Sequence, residues 1–380
     1  MSPISDAGVE RLVEAAFYAS LLQDEGRWPR CRLRNAAGHP WSRVVTLRRA
    51  PVAADTISRL AAVCHSAEHA LSIIEEDGAL QCDGLVDTGP MGLDGLPGRP
   101  EIVSGASPVA LDVQILGPGR LVVRDRGSLL NCELRGGRLR LLSSIWHAPQ
   151  VRALFDAFGR RCLDAAAPEE TDPARDYFGG AHGVTWLTCA LFGPVLAGMV
   201  HAGHGGAIII VPRAASLEGA VEFGSEVRDL DLKAEIAAYW SACLTYAPDS
   251  DGASIGRWQR VRARLRSKFA SLVGLTSVDG CIILDDDLRV RRIGAQITVE
   301  DARAEASGRP FRCSISGEAH DYRQFMDELG GTRHRSAARL CAAIEGAVAF
   351  VVSQDGGLTL FCGDESSTFG YGPMDADWWG

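Results

Sequence analysis

Two short segments carry residue types that could do chemistry. In the first, Gly331-Thr332-Arg333-His334-Arg335-Ser336, two arginines flank a histidine between a Gly-Gly-Thr turn and an apolar pattern of Ala338, Leu340, Cys341 and Ile344. That pattern has helical spacing, so the segment sits where a helix begins. Backbone N–H groups and two guanidiniums directed at one spot would suit a polyphosphate. A helix start decorated with surface arginines would use the same letters. In the second, Asp279-Gly280-Cys281, a loop carboxylate is followed at once by the apolar run Ile282-Ile283-Leu284, which reads as a buried strand.

The surrounding elements must bring these segments together. Asp285-Asp286-Asp287 reads as a turn leading into a strand that ends at Ile297. After the arginine segment, Val348–Ser353 and Leu358–Cys362 read as strands joined by the hairpin turn Gln354-Asp355-Gly356-Gly357. Gly205–Val211 reads as an earlier core strand, and residues 232–247 and 256–273 have helical periodicity. Towards the N-terminus, residues 7–22, 56–75 and 149–163 read as helices, with short strands between Val109 and Leu142. The Pro- and acid-rich stretch 165–175 reads as a linker. The expected architecture is therefore α/β (α+β): a smaller α/β domain over 1–165, a mixed sheet flanked by helices over 176–365, and an acidic tail over 366–380. The tail carries Phe369, Tyr371, Trp378 and Trp379, which would either stay solvated or dock on the domain or a partner subunit.

Composition narrows the function class. The chain has 380 residues, 46% of them hydrophobic, and a net charge of -9, which speaks against nucleic acid as a bulk partner. Its 11 cysteines are scattered with no Cys-x-x-Cys pair, which reads as buried thiols of a reducing cytoplasm. The longest apolar run, Trp186–Val200, contains Gly193-Pro194 and is too short to span a bilayer. A soluble, cytoplasmic protein is expected.

Several weaker signals have simpler readings. Asp77-Gly78-Ala79 lacks a buried strand after it and reads as a turn. His65 and His69 fit an H-x-x-E-H pattern on one helix face, but no third ligand accompanies them. His201 and His204 lie near a Gly-rich loop without acidic company. The arginines between Arg257 and Lys268 share a helix with Trp258, Val261, Leu265 and Phe269, and read as its solvated side.

Taken in order, DGC at 279–281, GTRHR at 331–335 and VVSQDGGLTLF at 351–361 resemble the catalytic domain of the diadenylate cyclases, which condense two ATP into cyclic di-AMP. The resemblance covers roughly residues 200–365, and the N-terminal unit weakly resembles the sensor domains that precede such domains. It implies Asp279 as a ligand of Mg²⁺ or Mn²⁺ lying against the attacking 3′-hydroxyl, and Arg333 and Arg335 as phosphate ligands. His334 would bond phosphate or position the loop. Gly280, Cys281, Ile297, Gly331, Thr332, Ser336 and Ser353 would complete the ATP site, Ile297 against the adenine. One ATP per subunit implies a homo-oligomer, at least a dimer, with two sites face to face. The chain departs from the family at Val278, where a histidine is usual, at Cys281 in place of alanine, and in a longer gap filled by Glu300–Glu328. A catalytically degenerate nucleotide or cyclic-dinucleotide sensor is the alternative on the same fold, and a scaffold with a vestigial pocket a third. The ligand of the N-terminal unit is not legible.

Overall fold

A computed structural model of the chain describes residues 4–35, 43–64, 69–87, 111–125, 130–166, 183–227, 230–244, 252–305, 310–313, 319–320, 322–329, 331–354, 357–364 and 367–375. They form two compact units that divide between Leu142 and Ser143, each built on its own mixed sheet. The class is α+β, as the sequence predicts.

In the first unit, helix α1 (Asp6–Ser20) is capped by Ser5, whose Oγ accepts from the Gly8 amide at 3.1 Å. Leu12, Ala16 and Ala19 recur at helical spacing and are wholly buried. The elements β1 (Cys31–Asn35), β2 (Arg43–Pro51), α2 (Ala54–Ala61), β3 (His69–Glu76), β4 (Ala79–Asp87), β5 (Leu111–Gly117), β6 (Arg120–Asp125), β7 (Leu130–Arg135) and β8 (Arg138–Leu141) follow. The strands lie in the order β2-β4-β3-β1-β5-β6-β7-β8, with only β1 and β3 parallel among the described pairs. Leu33, Ile73, Val113 and Val123 face one core with α1 and α2.

The helix expected over 56–75 is a shorter helix and a strand. α2 stops at Ala61, and His69–Glu76 pairs with β1 on one side and β4 on the other. Two ladders of main-chain bonds outweigh a weak helical spacing there. His69 therefore begins a strand and shares no helix face with His65, which with residues 66–68 lies outside the described residues. Asp77-Gly78 is the turn between β3 and β4, as read.

The second unit runs through β9 (Ser143–Ser144), α3 (Pro149–Ala166), α4 (Gly183–Ala202), β10 (Gly206–Val211), β11 (Val221–Glu222), α5 (Leu232–Leu244), α6 (Gly252–Leu275), β12 (Cys281–Asp285), β13 (Val290–Ile297), α7 (Asp301–Glu305), β14 (Phe311–Cys313), β15 (Ala319–His320), α8 (Tyr322–Glu328), α9 (Thr332–Ala343), β16 (Val348–Val352), β17 (Leu358–Gly363) and β18 (Thr368–Asp375). Strand order is β11-β13-β12-β10-β16-β17-β18-β14-β15, with β9 paired to β18. β10, β12 and β16 are buried along their whole length. Their continuous apolar runs reflect cover on both faces. Ile209, Ile283 and Val351 pack with Ala337, Leu340 and Cys341 of α9. On the other face Phe350 meets Phe192 of α4, with ring centroids 6.0 Å apart, and Phe192 meets Phe155 of α3 at 5.2 Å.

Two boundaries are corrected by this packing. The first unit ends at Leu142, not at 165, because α3 belongs to the second: Phe155 stacks on Phe192 and Arg161 Nε donates to Asp287 Oδ1 at 2.7 Å. The stretch from 366 is no tail, since Thr368–Asp375 forms β18 against β17 and Phe369 stacks on Tyr371. Trp378 and Trp379, and most of the proposed linker, lie outside the described residues. α4 is one helix through Pro194, and no helix among the described residues is long and apolar enough to cross a membrane. The nine cysteines whose side chains are described are buried and free.

Candidate functional site

The Asp279 loop, the start of α9 and the β16–β17 turn meet at one end of the second sheet. Asp279 stands just before β12, with its side chain 97% exposed, and Arg333 Nη2 lies 3.7 Å from its Oδ1. The carboxylate also accepts from the Gly280 amide at 3.1 Å. Gly205, at the mouth of β10, adopts a φ of +71°, and a Cβ there would lie 3.2 Å from both Arg333 Nη1 and the Gln354 amide nitrogen. Thus Asp279 and Gly205, far apart in sequence, both stand against Arg333, and Gly205 also lies close to Gln354. Ser353 precedes Gln354, and its Oγ closes the hairpin by bonding to Gly357, donating to its carbonyl at 3.2 Å and accepting from its amide at 3.0 Å.

Gly280 has a structural reason to be glycine. Its φ is +103°, and a Cβ would sit 2.7 Å from the Ala295 carbonyl oxygen of β13. Its bareness lets two strands touch across a register shift in the β12–β13 ladder. A Cβ at Gly280 would thus face β13 and not a ligand bound beside Asp279. Cys281 is corrected similarly: its side chain is core, 5% exposed, and its Sγ contacts the Ala295 carbonyl at 3.3 Å. Burial pushes that thiol up to about 12, so it stays protonated. Only its backbone is left to meet a ligand.

At the start of α9, Gly331 occupies the N-cap position without a side-chain cap, leaving N-terminal amides of the helix to other partners. Thr332 and Arg335 are exposed, and Arg333 and Ser336 half-buried. The two arginines do not aim at one spot. Two positions apart on a helix, they point to different flanks. Arg333 reaches Asp279, whereas the charge of Arg335 bears on Asp301 of α7, which Arg339 Nε also binds at 2.6 Å. The Tyr322 hydroxyl donates to the same Asp301 oxygen, so the 300–328 insertion is tied to α9 by a tyrosine, an aspartate and two arginines. His334 packs its ring edge-on to Phe361, centroids 6.2 Å apart, and burial lowers its pKa below the ordinary 6.5. A neutral imidazole there supports the helix start and brings no positive charge.

Ile297 ends β13, half-buried, and pairs with Val221 of β11. Val221 also lines a cavity of about 390 Å³ with Leu217, Glu218, Glu226, Arg291 and Arg292, within the size range of small-ligand pockets. Val278, standing where a histidine was usual in the family, is 46% exposed. The acidic turn at the other end of β12 is structural: Asp287 is held by Arg161 and Lys233, and Asp285 accepts from the Asp287 and Arg289 amides. His204 bonds the carbonyl of the adjacent Gly205 at 2.7 Å. Among the described residues no group of three or more His, Cys, Asp or Glu side chains could hold a metal alone. Among the described residues Asp279 is the carboxylate beside Arg333, and a divalent cation there would need phosphate oxygens and water as further ligands, a set that suits Mg²⁺. The closeness of Gly205 to Arg333 and to Gln354 escaped the sequence reading, since nothing in a His-Gly-Gly loop or in a hairpin turn marks it.

Comparison with known proteins adds one family match. Residues 3–87 match the model described as "Probable sensor domain DACNV". The match begins before α1 and ends with β4, so it lies within the first unit and fits the N-terminal sensor domain expected from the sequence. No curated protein matches the chain. A solved structure titled a hypothetical membrane spanning protein from Bacillus cereus shares 14% identity over 58% of this chain and 91% of its own, with a TM-score of 0.22, too low to carry an argument.

Proposed function

We propose that the second unit is a diadenylate cyclase, joining two ATP into cyclic di-AMP with release of two pyrophosphates. The observation that carries this reading is the Arg333–Asp279 approach of 3.7 Å, which unites the two segments whose chemistry the reaction needs. Support comes also from the sensor-domain match at 3–87. In each half-reaction the 3′-oxygen of one ATP attacks the α-phosphorus of the other. The P–O bond to the β-phosphate breaks, pyrophosphate leaves and the hydroxyl proton is lost.

Asp279 would orient the 3′-hydroxyl and, with the phosphates, hold Mg²⁺ or Mn²⁺. A bound divalent ion supplies charge stabilisation for the phosphoryl transfer. Arg333 would fork the phosphates beside Asp279, the N–H groups at Gly331 and Thr332 would add backbone donors, and Arg335 would reach them from the other flank of the helix. Ile297 and the neighbouring cavity would take the adenine. One Asp279 serves one 3′-hydroxyl, so two subunits must face each other to close both links. The degenerate-sensor alternative draws on Val278, which puts an apolar group beside the carboxylate.

The test is incubation of the full chain with ATP and Mg²⁺ or Mn²⁺, followed by mass analysis. Cyclic di-AMP that accumulates faster than in proportion to protein supports a face-to-face cyclase. ATP binding without product favours the sensor.

A further inference from the structure

Phe223, directly after β11, breaks two ordinary rules at once. Its φ is +57°, in the left-handed region where a bulky side chain is strained, and it is 73% exposed. Val221, two residues earlier, packs against the core, and Phe223 does not share that burial. Strain on an exposed aromatic is not compensated by packing, and such residues cluster where a ligand is held.

The surroundings of Phe223 say which ligand. Gly224 follows it, and a Cβ there would lie 3.1 Å from both the Ala295 Cα and the Ile293 carbonyl oxygen of β13. On the other side of β13, Gly280 presses as closely on Gly294 and Ala295. Gly294 is itself left bare, since a Cβ there would stand 3.2 Å from Val278 Cγ1. A strip of glycines therefore crosses the end of the sheet from Phe223 on one side to Val278 and Asp279 on the other. Two strand spacings make it about 10 Å wide, the reach of a nucleoside from its base to its ribose hydroxyls. The arm that carries Phe223 also walls the cavity of about 390 Å³, through Val221 two residues before it and Glu226 three after.

We propose that Phe223 is the base-stacking residue of the nucleotide site: the purine of a nucleotide whose ribose lies at Asp279 crosses the glycine strip and stacks on the Phe223 ring at the mouth of the cavity. The proposal rests on the nucleotide reading of Asp279 and Arg333, and it adds a residue that lies in neither of their segments. An aromatic face accepts any base, so the ring supplies affinity and leaves the choice among purines to other groups.

The test sets Phe223→Gly in the full chain against two ligands, ATP and inorganic tripolyphosphate, by metal-free titration calorimetry. Glycine adopts a positive φ without strain, so the variant should melt at or above the wild-type temperature. It should bind ATP about tenfold more weakly or worse, the range of one lost base stack, and bind tripolyphosphate as wild type does. Phe223→Asn, which tolerates the same φ, should repeat this result, and Phe223→Trp should keep wild-type ATP affinity. Arg333→Ala should weaken both ligands. The two readings fail differently. A wild type that binds neither ligand removes the nucleotide site and the stack with it. Wild-type ATP affinity in Phe223→Gly and Phe223→Asn overturns the stack alone, as does equal weakening of ATP and tripolyphosphate. A lower oligomeric mass by light scattering with ATP affinity intact would make Phe223 a contact between copies and likewise overturn the proposal.

Discussion

Replacing Asp279 by asparagine should separate folding from chemistry. The carboxylate is 97% exposed, it contacts Arg333 at 3.7 Å and the next residue's amide, and no burial is lost on substitution. Exposed ion pairs contribute little to stability, so the melting temperature should stay within about 2 °C of wild type. ATP measured without metal should bind as well or slightly better, because the variant removes a negative charge beside Arg333. Turnover should fall by a factor of about 100 or more, since one charged group lost from a phosphoryl-transfer site typically costs several kcal/mol. Three measurements on one purified variant decide it: a thermal melt, metal-free ATP titration calorimetry, and cyclic di-AMP formation by mass. Turnover within about tenfold of wild type would refute the role given to Asp279. A large loss of melting temperature would refute the claim that this residue belongs to the site and not to the fold.

Other outcomes follow from the same geometry. Arg333→Ala should weaken ATP binding about tenfold to a hundredfold by calorimetry, the range of one charge-assisted phosphate contact, and more than Arg335→Ala, which sits on the Asp301 flank. A fragment from Ser143 should fold, whereas one from residue 176 should aggregate or melt early, because it lacks Trp146, Phe155 and Phe158, each 0% exposed; size-exclusion profiles of the two fragments check this. Buried Cys162 and Cys281 are pushed up to about 12 from an ordinary 9.0, so the unfolded chain releases these protons first as pH rises. Their contribution is intact below about pH 9 and is lost towards 12, at about 1.4 kcal/mol per pH unit and thiol; urea midpoints at pH 8 and 10.5 should show the fall, and Cys281→Ala should lessen it.

The parts of the second unit that a reader of the sequence finds first are those whose signals are local. The apolar runs at 206–211, 281–285 and 348–352 are strands within a residue or two of where they are read, because a strand covered on both faces needs unbroken apolar sequence. GTRHR does begin a helix. What stays illegible depends on partners distant in sequence. The amphipathic spacing of 149–163 says that one face is buried but not against what, and only the contact of Phe155 with Phe192 assigns α3 to the second unit. Gly-rich 368–375 has little strand propensity and becomes β18 through its ladder with β17. Within the site, the pairing of Asp279 with Arg333 was foreseeable only through resemblance. The divergence of Arg335 follows from helix geometry, which a string of letters such as RHR conceals.

Strand β18 also sets an order of events. It pairs with β17 along one edge and β14 along the other, and its last residues, Met374 and Asp375, pair with Ser143 and Ser144. The second unit's first strand therefore has no partner until residue 375 has left the ribosome. The first unit, whose described strands all lie before Leu142, meets no such delay. Domains tend to fold as they emerge, N-terminal first. On the growing chain a folded first unit would thus precede an unfinished sheet in the second, and β9 would wait for more than half the chain to be made before its partner strand exists.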